Sequence, residues 1–257
     1  LSGFDQIRLI QSDKSQLQSS ELSKVLIPGM DCYVLITVNG KLNQALSLLP
    51  ADIHVNEPSW ENEAKDELPE EIATRPLNQL NVAMHTGGLA ITIPKNVVIE
   101  KPLHLINVID HAQPGFVFPR HYIYCEANSS FRLVESSYVR NTNTPVFKIS
   151  HTSIHLSENA QMRHMYLQHA EADIRSCRQT YVSQAAASNY SNWTISLQGP
   201  ALLRNNLDIY SKGRLSHSDL YGLCFINGEQ LVDNHTSMHH MVADCTSNEF
   251  YKSVLHG

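Results

Sequence analysis

Charged residues are scarce in this sequence and aromatic ones scarcer: Asp, Glu, Lys and Arg make up 17% of the 257 residues, and Phe, Trp and Tyr 7%. The net charge is -6, with no cluster of Lys and Arg. Phosphate contacts need such clusters, so nucleic acid is excluded as a partner. No apolar run approaches the roughly 18 residues of a membrane span, and the first residues lack the basic and apolar regions of a secretory signal. Five cysteines (Cys32, Cys125, Cys177, Cys224, Cys245) are an odd number, widely spaced, with no Cys-x-x-Cys pair. That pattern argues against a disulfide framework or zinc knuckle and for reduced thiols in a cytoplasmic protein. Four Asn-x-Ser/Thr sequons, at Asn128, Asn189, Asn192 and Asn234, are what an Asn- and Ser-rich chain yields by chance. Phosphate-binding glycine loops, dinucleotide fingerprints and the nucleophile-elbow motif are all missing, which leaves nucleotide hydrolysis, dinucleotide binding and α/β-hydrolase chemistry without support.

What the chain does have is repetition. Residues 122–251 read as one β unit laid down several times. Strand-like runs end at Ser157, Ser183 and Ser211, spaced 26 and 28 residues apart. Each is followed by a short small or polar turn and a second run, at residues 162–167, 190–197 and 215–223. Self-similarity at a near-fixed period, with no helical pattern between the units, is the signature of an all-β solenoid whose coils bury one another's apolar faces. With 42% hydrophobic residues the chain has enough apolar surface for such a core.

Ahead of the repeats, residues 12–26 carry helical spacing, stopped by Pro28 and Gly29. Residues 32–38 are strongly β, and Asn39-Gly40 suits a type I′ hairpin. Residues 57–71 hold seven acidic side chains against one lysine and read as a solvated loop or linker. A short helix over residues 76–85, closed by Gly87-Gly88, is expected to plug the open end of the solenoid. Strands over 89–94, 97–100 and 103–109 then fit a first coil, and a loop over 110–119 leads into the repeats. The division expected is 1–75 as an α/β lead-in and 76–257 as the β-helix core.

Two segments resemble a known family. The run from Ile91 through Ile93, Pro94, Lys95, Asn96 and Val97 to Leu103 is similar to the entry signature of the SufB/SufD iron–sulfur cluster assembly proteins. Leu220-Tyr221-Gly222-Leu223, Val232-Asp233-Asn234-His235-Thr236 and Cys245-Thr246-Ser247-Asn248-Glu249, followed by Tyr251-Lys252, together resemble that family's most recognisable segment. The 232–236 segment and His239 lean toward the SufD member. The resemblance implies a right-handed parallel β-helix, a scaffold rather than an enzyme, with a SufB-like subunit and a SufC-like ATPase as partners and a homodimer as the alternative pairing. It also implies no permanently bound cofactor, iron or an iron–sulfur cluster passing transiently at a partner interface. The family's ATPase-binding helices and metal-site histidine lie beyond anything matched here, so the sequence reads as a fragment.

Among ligand-type residues, His235, His239 and Cys245, with His240 beside them, form the densest set and are the candidate metal site. On a strand, His235 and His239 share one face about 13 Å apart at ~3.3 Å per residue, and His240 takes the other. His151, His155, His164 and His169 read as mostly surface-facing, and Cys125, Cys177 and Cys224 as small buried hydrophobes. A competing reading is a β-helix polysaccharide lyase or hydrolase built on Asp208, Asp219 and Asp233 with Arg204 and Arg214. The three acids fall about half a coil apart and would not stack on one face. A plain interaction solenoid is the third possibility.

Overall fold

The computed structural model describes residues 9–10, 17, 19–85, 87–111, 113–140, 144–168, 174–197 and 202–256. Ser19–Lys24 form a 3-10 helix inside the stretch with helical spacing, of which residues 12–16 and 18 lie outside the described residues. Strand β1 (Tyr33–Val38) turns onto β2 (Lys41–Leu42) through Asn39 and Gly40, whose φ values of 50° and 89° are the two left-handed residues a type I′ turn requires. Next come β3 (His54–Asn56) and three short helices, α1 (Trp60–Lys65), α2 (Glu70–Ala73) and α3 (Pro76–Met84). Strands follow: β4 (Gly87–Ile93), β5 (Leu103–Ile109), β6 (Gly115–Val117), β7 (Pro119–Cys125), β8 (Ser130–Val139), β9 (Val146–Leu156) and β10 (Gln161–Gln168). The series ends with β11 (Ile174–Gln184), β12 (Asn189–Leu197), β13 (Leu202–Ser211), β14 (His217–Asn227), β15 (Leu231–His240) and β16 (Thr246–His256).

From β7 onward, successive strands go to opposite sheets. Sheet A runs β15-β13-β11-β9-β7-β4-β3 and sheet B runs β16-β14-β12-β10-β8-β5-β1-β2. All the pairings among β4–β16 are parallel and in register, so the chain is a parallel β-solenoid in which each coil gives one strand to each sheet. The Ser-based alignment of the repeats is shifted, however. Leu156 pairs with Gln184 and Gln184 with Ser211, giving steps of 28 and 27, while Ser183 sits opposite His155. Ser183 and Ser211 fall on different faces of their strands and Ser157 lies just past the end of β9, so face parity, not residue type, defines equivalence.

Inward positions form columns along the solenoid axis. Ile91, Ile123, Ile154, Val182 and Ile209 make one such column in sheet A, each with at most 1% of its surface exposed. Each contributes roughly 1.5–3 kcal/mol of burial before entropy is counted. In sheet B, Leu103, Leu133, His164, Asn192 and Leu220 make another, so the core turns polar toward its middle coils.

The corners from sheet A to sheet B share one backbone device, a left-handed residue. Asn96, Asn128, Asn159, Ala187, Leu215 and Asp244 all have φ between 55° and 64°. Asparagine tolerates that conformation, and the first three stack as a ladder: Asn128 Nδ2 donates to Asn96 Oδ1 (2.9 Å), and Asn159 Nδ2 to Asn128 Oδ1 (3.2 Å). Leucine does not tolerate it, and left-handed geometry costs an ordinary residue about 1–2 kcal/mol. This strain also explains why the second run starts at His217 and not at residue 215. Since the Leu215 side chain is exposed and packs little, Leu215→Asn is expected to stabilise the protein by about 1 kcal/mol, a Tm rise of roughly 2–4 °C. An unchanged or lower melting temperature would show that the corner is not strained.

Three local expectations change. Residues 97–100 form no strand; only an isolated bridge, Val98 to Ser130, joins them to the stack. Residues Gly115–Val117, within the expected loop, form β6 on β9. Helix α3 does not plug the solenoid end; it lies on the outer face of sheet A, where Asn81 Nδ2 donates to the carbonyls of Pro119 (3.1 Å) and Ile149 (2.9 Å). Gly87 and Gly88 do not cap it either; they open β4, with Gly88 pressed so closely on the Arg120 carbonyl that a Cβ would come within 1.5 Å.

Candidate functional site

The outward positions of sheet A carry the polar chemistry that was not visible strand by strand. Register places Tyr122, Ser153, Tyr181, Asp208 and Ser237 in one outer column, with Arg120, His151, Gln179, Asn206 and His235 beside it. Over these columns lies the acidic segment. Residues 57–71, expected as a solvated loop, instead form α1, part of α2 and a buried anchor. The Asp66 side chain is 2% exposed; it faces Arg120 Nη2 (3.3 Å) and His155 Nε2 (3.3 Å) and accepts from Ser153 Oγ (2.8 Å). Burial alone would raise its carboxyl, but His155, His151 and Ser153 outweigh burial and hold it below the usual carboxylate range. Arg75 then grips Asp208 through both nitrogens, at 2.5 and 2.9 Å, and the Tyr210 hydroxyl donates to Glu71. Residues 66–85 are thus strapped across the coils by carboxylates and guanidinium groups.

Beneath the strap, rings follow one another along the axis. Tyr124 stacks on His155 (5.2 Å between centroids), His155 meets Tyr181 edge-on (6.1 Å), Tyr181 packs on Tyr210 (5.5 Å), and Tyr210 stacks on His239 (4.1 Å, 6° between planes). His239 therefore faces outward and is held by a ring, with Glu71 4.0 Å away. His235 also faces outward, its Nε2 2.8 Å from Asp233, which in turn pairs with Arg204 at 3.2 Å. His240 is the register partner of Ser211, on the inward parity. Cys245 is elsewhere, in the corner after β15, donating its Sγ–H toward the Gly213 carbonyl (3.5 Å) with Ser216 Oγ 3.3 Å away. Among the described residues, no three His, Cys, Asp or Glu side chains are grouped to hold a metal ion.

The other histidines are not surface-facing. His151 and His164 are fully buried and His155 is partly covered, while His169 lies outside the described residues. Burial lowers His151 to about 3. Cys125 and Cys224 are buried on the inward parity, and burial pushes the Cys125 thiol up to about 12. Cys177 is buried on the outer face, against Phe118 and Ile149. Of the acids in the carbohydrate reading, Asp208 and Asp233 reach the same outer face, where an open cleft of about 280 Å³ lies between Arg75, Arg204, Asn206, Asp208 and His235. Both acids are engaged by arginines. Asp219 belongs to sheet B, and Arg214 pairs with Asp244 at a corner.

The family profile described as "SUF system FeS cluster assembly, SufBD core domain" matches residues 107–257, more than half of the chain. The chain belongs to the SufBD family. It is also 25% identical to an iron–sulfur cluster assembly SufBD family protein of Synechocystis sp., over 99% of this chain and 60% of that protein's length. Several residues of the recognisable segment near the end of the chain hold the last coils together. A Cβ on Gly222 would come within 1.9 Å of Tyr251, whose ring occupies the space. Thr236 Oγ1 donates to Glu249 Oε1 (2.7 Å), and Asn248 Nδ2 to Asp219 Oδ1 (3.0 Å). These contacts tie the last described coil to itself and to the one before it. Among the described residues no helix is long and apolar enough to cross a membrane.

Proposed function

We propose that this chain is the core of a SufD-like, non-catalytic scaffold subunit of an iron–sulfur cluster assembly complex, working in the cytoplasm with a SufB-like subunit and a SufC-like ATPase. The observation that carries the reading is the SufBD core match over the solenoid's stacked coils. A parallel stack tied at each corner and strapped on one face is stiff along its axis, which suits a part that holds two partners at a fixed separation. No nucleotide motif appears in the sequence, so ATP-driven work belongs to the partner. In this reading iron or a cluster is cargo at a partner interface, and the outward His235 and His239 are the donors available to it, whereas Cys245 packs into a corner. The arginine pairing of Asp208 and Asp233 disfavours acid–base cleavage of polysaccharide.

The test is affinity purification of the full-length protein from its native cells, with partners identified and iron and sulfide quantified. An ATPase and a second solenoid subunit are expected to co-elute, with cluster content lost when this chain is deleted. A protein that elutes alone, with cleavage activity on an acidic polysaccharide, would overturn the reading.

A further inference from the structure

Alternation along the middle strands places charged residues where apolar ones belong. Glu135, on the parity of Phe131 and Leu133, points between the sheets and is 2% exposed; Lys148 (1%) and Arg178 (2%) face it from sheet A. Glu135 lies 3.5 Å from Arg178 Nη2 and 3.4 Å from His164 Nε2, and accepts from Asn107 Nδ2 at 3.2 Å. Lys148 Nζ has a different partner: it donates to the Ser137 hydroxyl at 2.9 Å. Among the described residues, then, two cations share one carboxylate in the interior. The neighbouring histidines do not change the count, because burial lowers His121 to about 4 and also lowers His164.

Beside the cations lie donors that make no hydrogen bond to another protein group. Ser150 Oγ sits two residues from Lys148 on the same strand face and is the register partner of Arg178, whose Nε is also unpaired. The hydroxyls of Thr152 and Thr180, themselves register partners, are unpaired next along. An uncompensated charge taken fully out of water costs several kcal/mol, and buried donors left unpaired cost more. One small anion would answer both.

We propose that the solenoid interior binds a small monovalent anion of the halide class between Lys148, Ser150 and Arg178. The donors are a point charge, one guanidinium N–H and a freely turning hydroxyl, none of which demands the fixed geometry of a polyatomic oxyanion. The charge of Glu135, 3.5 Å from Arg178 Nη2, keeps the site from favouring more than one further negative charge.

The experiment uses the full-length protein at pH 7 and constant ionic strength, comparing thermal unfolding in sodium bromide with that in sodium gluconate. Bromide is expected to raise Tm with concentration, as for any ligand bound by the folded state alone. Bromide-soaked crystals should give an anomalous peak beside Lys148 Nζ. Lys148→Met should abolish the halide dependence and be at least as stable as the parent in gluconate, so loss of fold cannot imitate loss of the site. At pH 9 the effect should fade, because burial brings the Lys148 ammonium down to about 8. Equal melting temperatures in the two salts, a halide effect that persists in Lys148→Met, or bromide found at the surface as an adventitious ion only would each overturn the proposal.

Discussion

Between pH 6.5 and pH 4 the protein is expected to lose most of its stability. Burial depresses His104 and His121 to about 4 and His151 to about 3, against 6.5 for a solvated imidazole. A depressed histidine stays neutral in the folded chain while its unfolded counterpart takes up a proton. Its contribution is therefore fully present above pH 6.5 and shrinks as pH falls toward the folded value. Each group gives a slope of up to about 1.4 kcal/mol per pH unit, so three give about 4. Over the interval from pH 6 to 4 this amounts to roughly 8 kcal/mol, comparable with the whole stability of a typical domain. Below the ordinary carboxylate range Glu135 and Asp66, both held low in the folded state, add to the loss. Chemical denaturation followed by circular dichroism at pH 7, 6, 5 and 4.5 measures the slope directly. Stability that is flat from pH 7 to 5 would mean these imidazoles reach water or accept protons in place. His121→Gln should lower the proton uptake on unfolding by about one.

The second large effect is expected at Glu135. Burial would raise its carboxyl, but the charge of Arg178, the hydrogen bond of His164 and the charge of Lys148 carry it well below the usual range, so it is ionised throughout the physiological range. Glu135→Leu leaves Arg178 and Lys148 buried without a carboxylate, and removing one partner of a buried pair costs about 3–5 kcal/mol. For a chain of this size that is a Tm loss of order 10 °C. The triple variant Glu135→Leu/Arg178→Met/Lys148→Met should recover much of it, since apolar residues of similar volume often replace a buried ion pair or triad without cost. A single variant within 1 kcal/mol of the parent would show that the interior is hydrated enough to screen its charges.

The solenoid was legible because face alternation and corner residues are local. Ile91 and Ile93, Met162, and Tyr190 each announce an inward parity within their own strand, and Asn39-Gly40 announces a turn. What stayed hidden depends on distance. Asp66 sits among Glu63, Glu67 and Glu70 and looks solvated, yet its partners are Arg120, Ser153 and His155, far along the chain. The clasp between Arg75 and Asp208 spans 133 residues, which no window of spacing reveals. The interior charges did leave a signal: Glu135, Lys148 and Arg178 each put a charge on the inward parity of their strand, which is readable once parity is assigned. The candidate metal residues are neighbours in sequence more than in space. His239 and Cys245 are six residues apart, but a corner separates a ring-stacked outer face from an inward-packed thiol.

The two edges of the stack are built to different tolerances. From sheet A to sheet B the connections between β7 and β16 are four or five residues long, each with its left-handed residue in place, and backbone bonds such as Asn128 N to the Glu158 carbonyl continue the ladder through them. On the return side the connections from β8 onward shrink from six residues to three without changing the register of the strands they join. A peptide inserted by an experimenter is therefore better placed on the return side: one edge behaves as a binding spine, the other as an open margin.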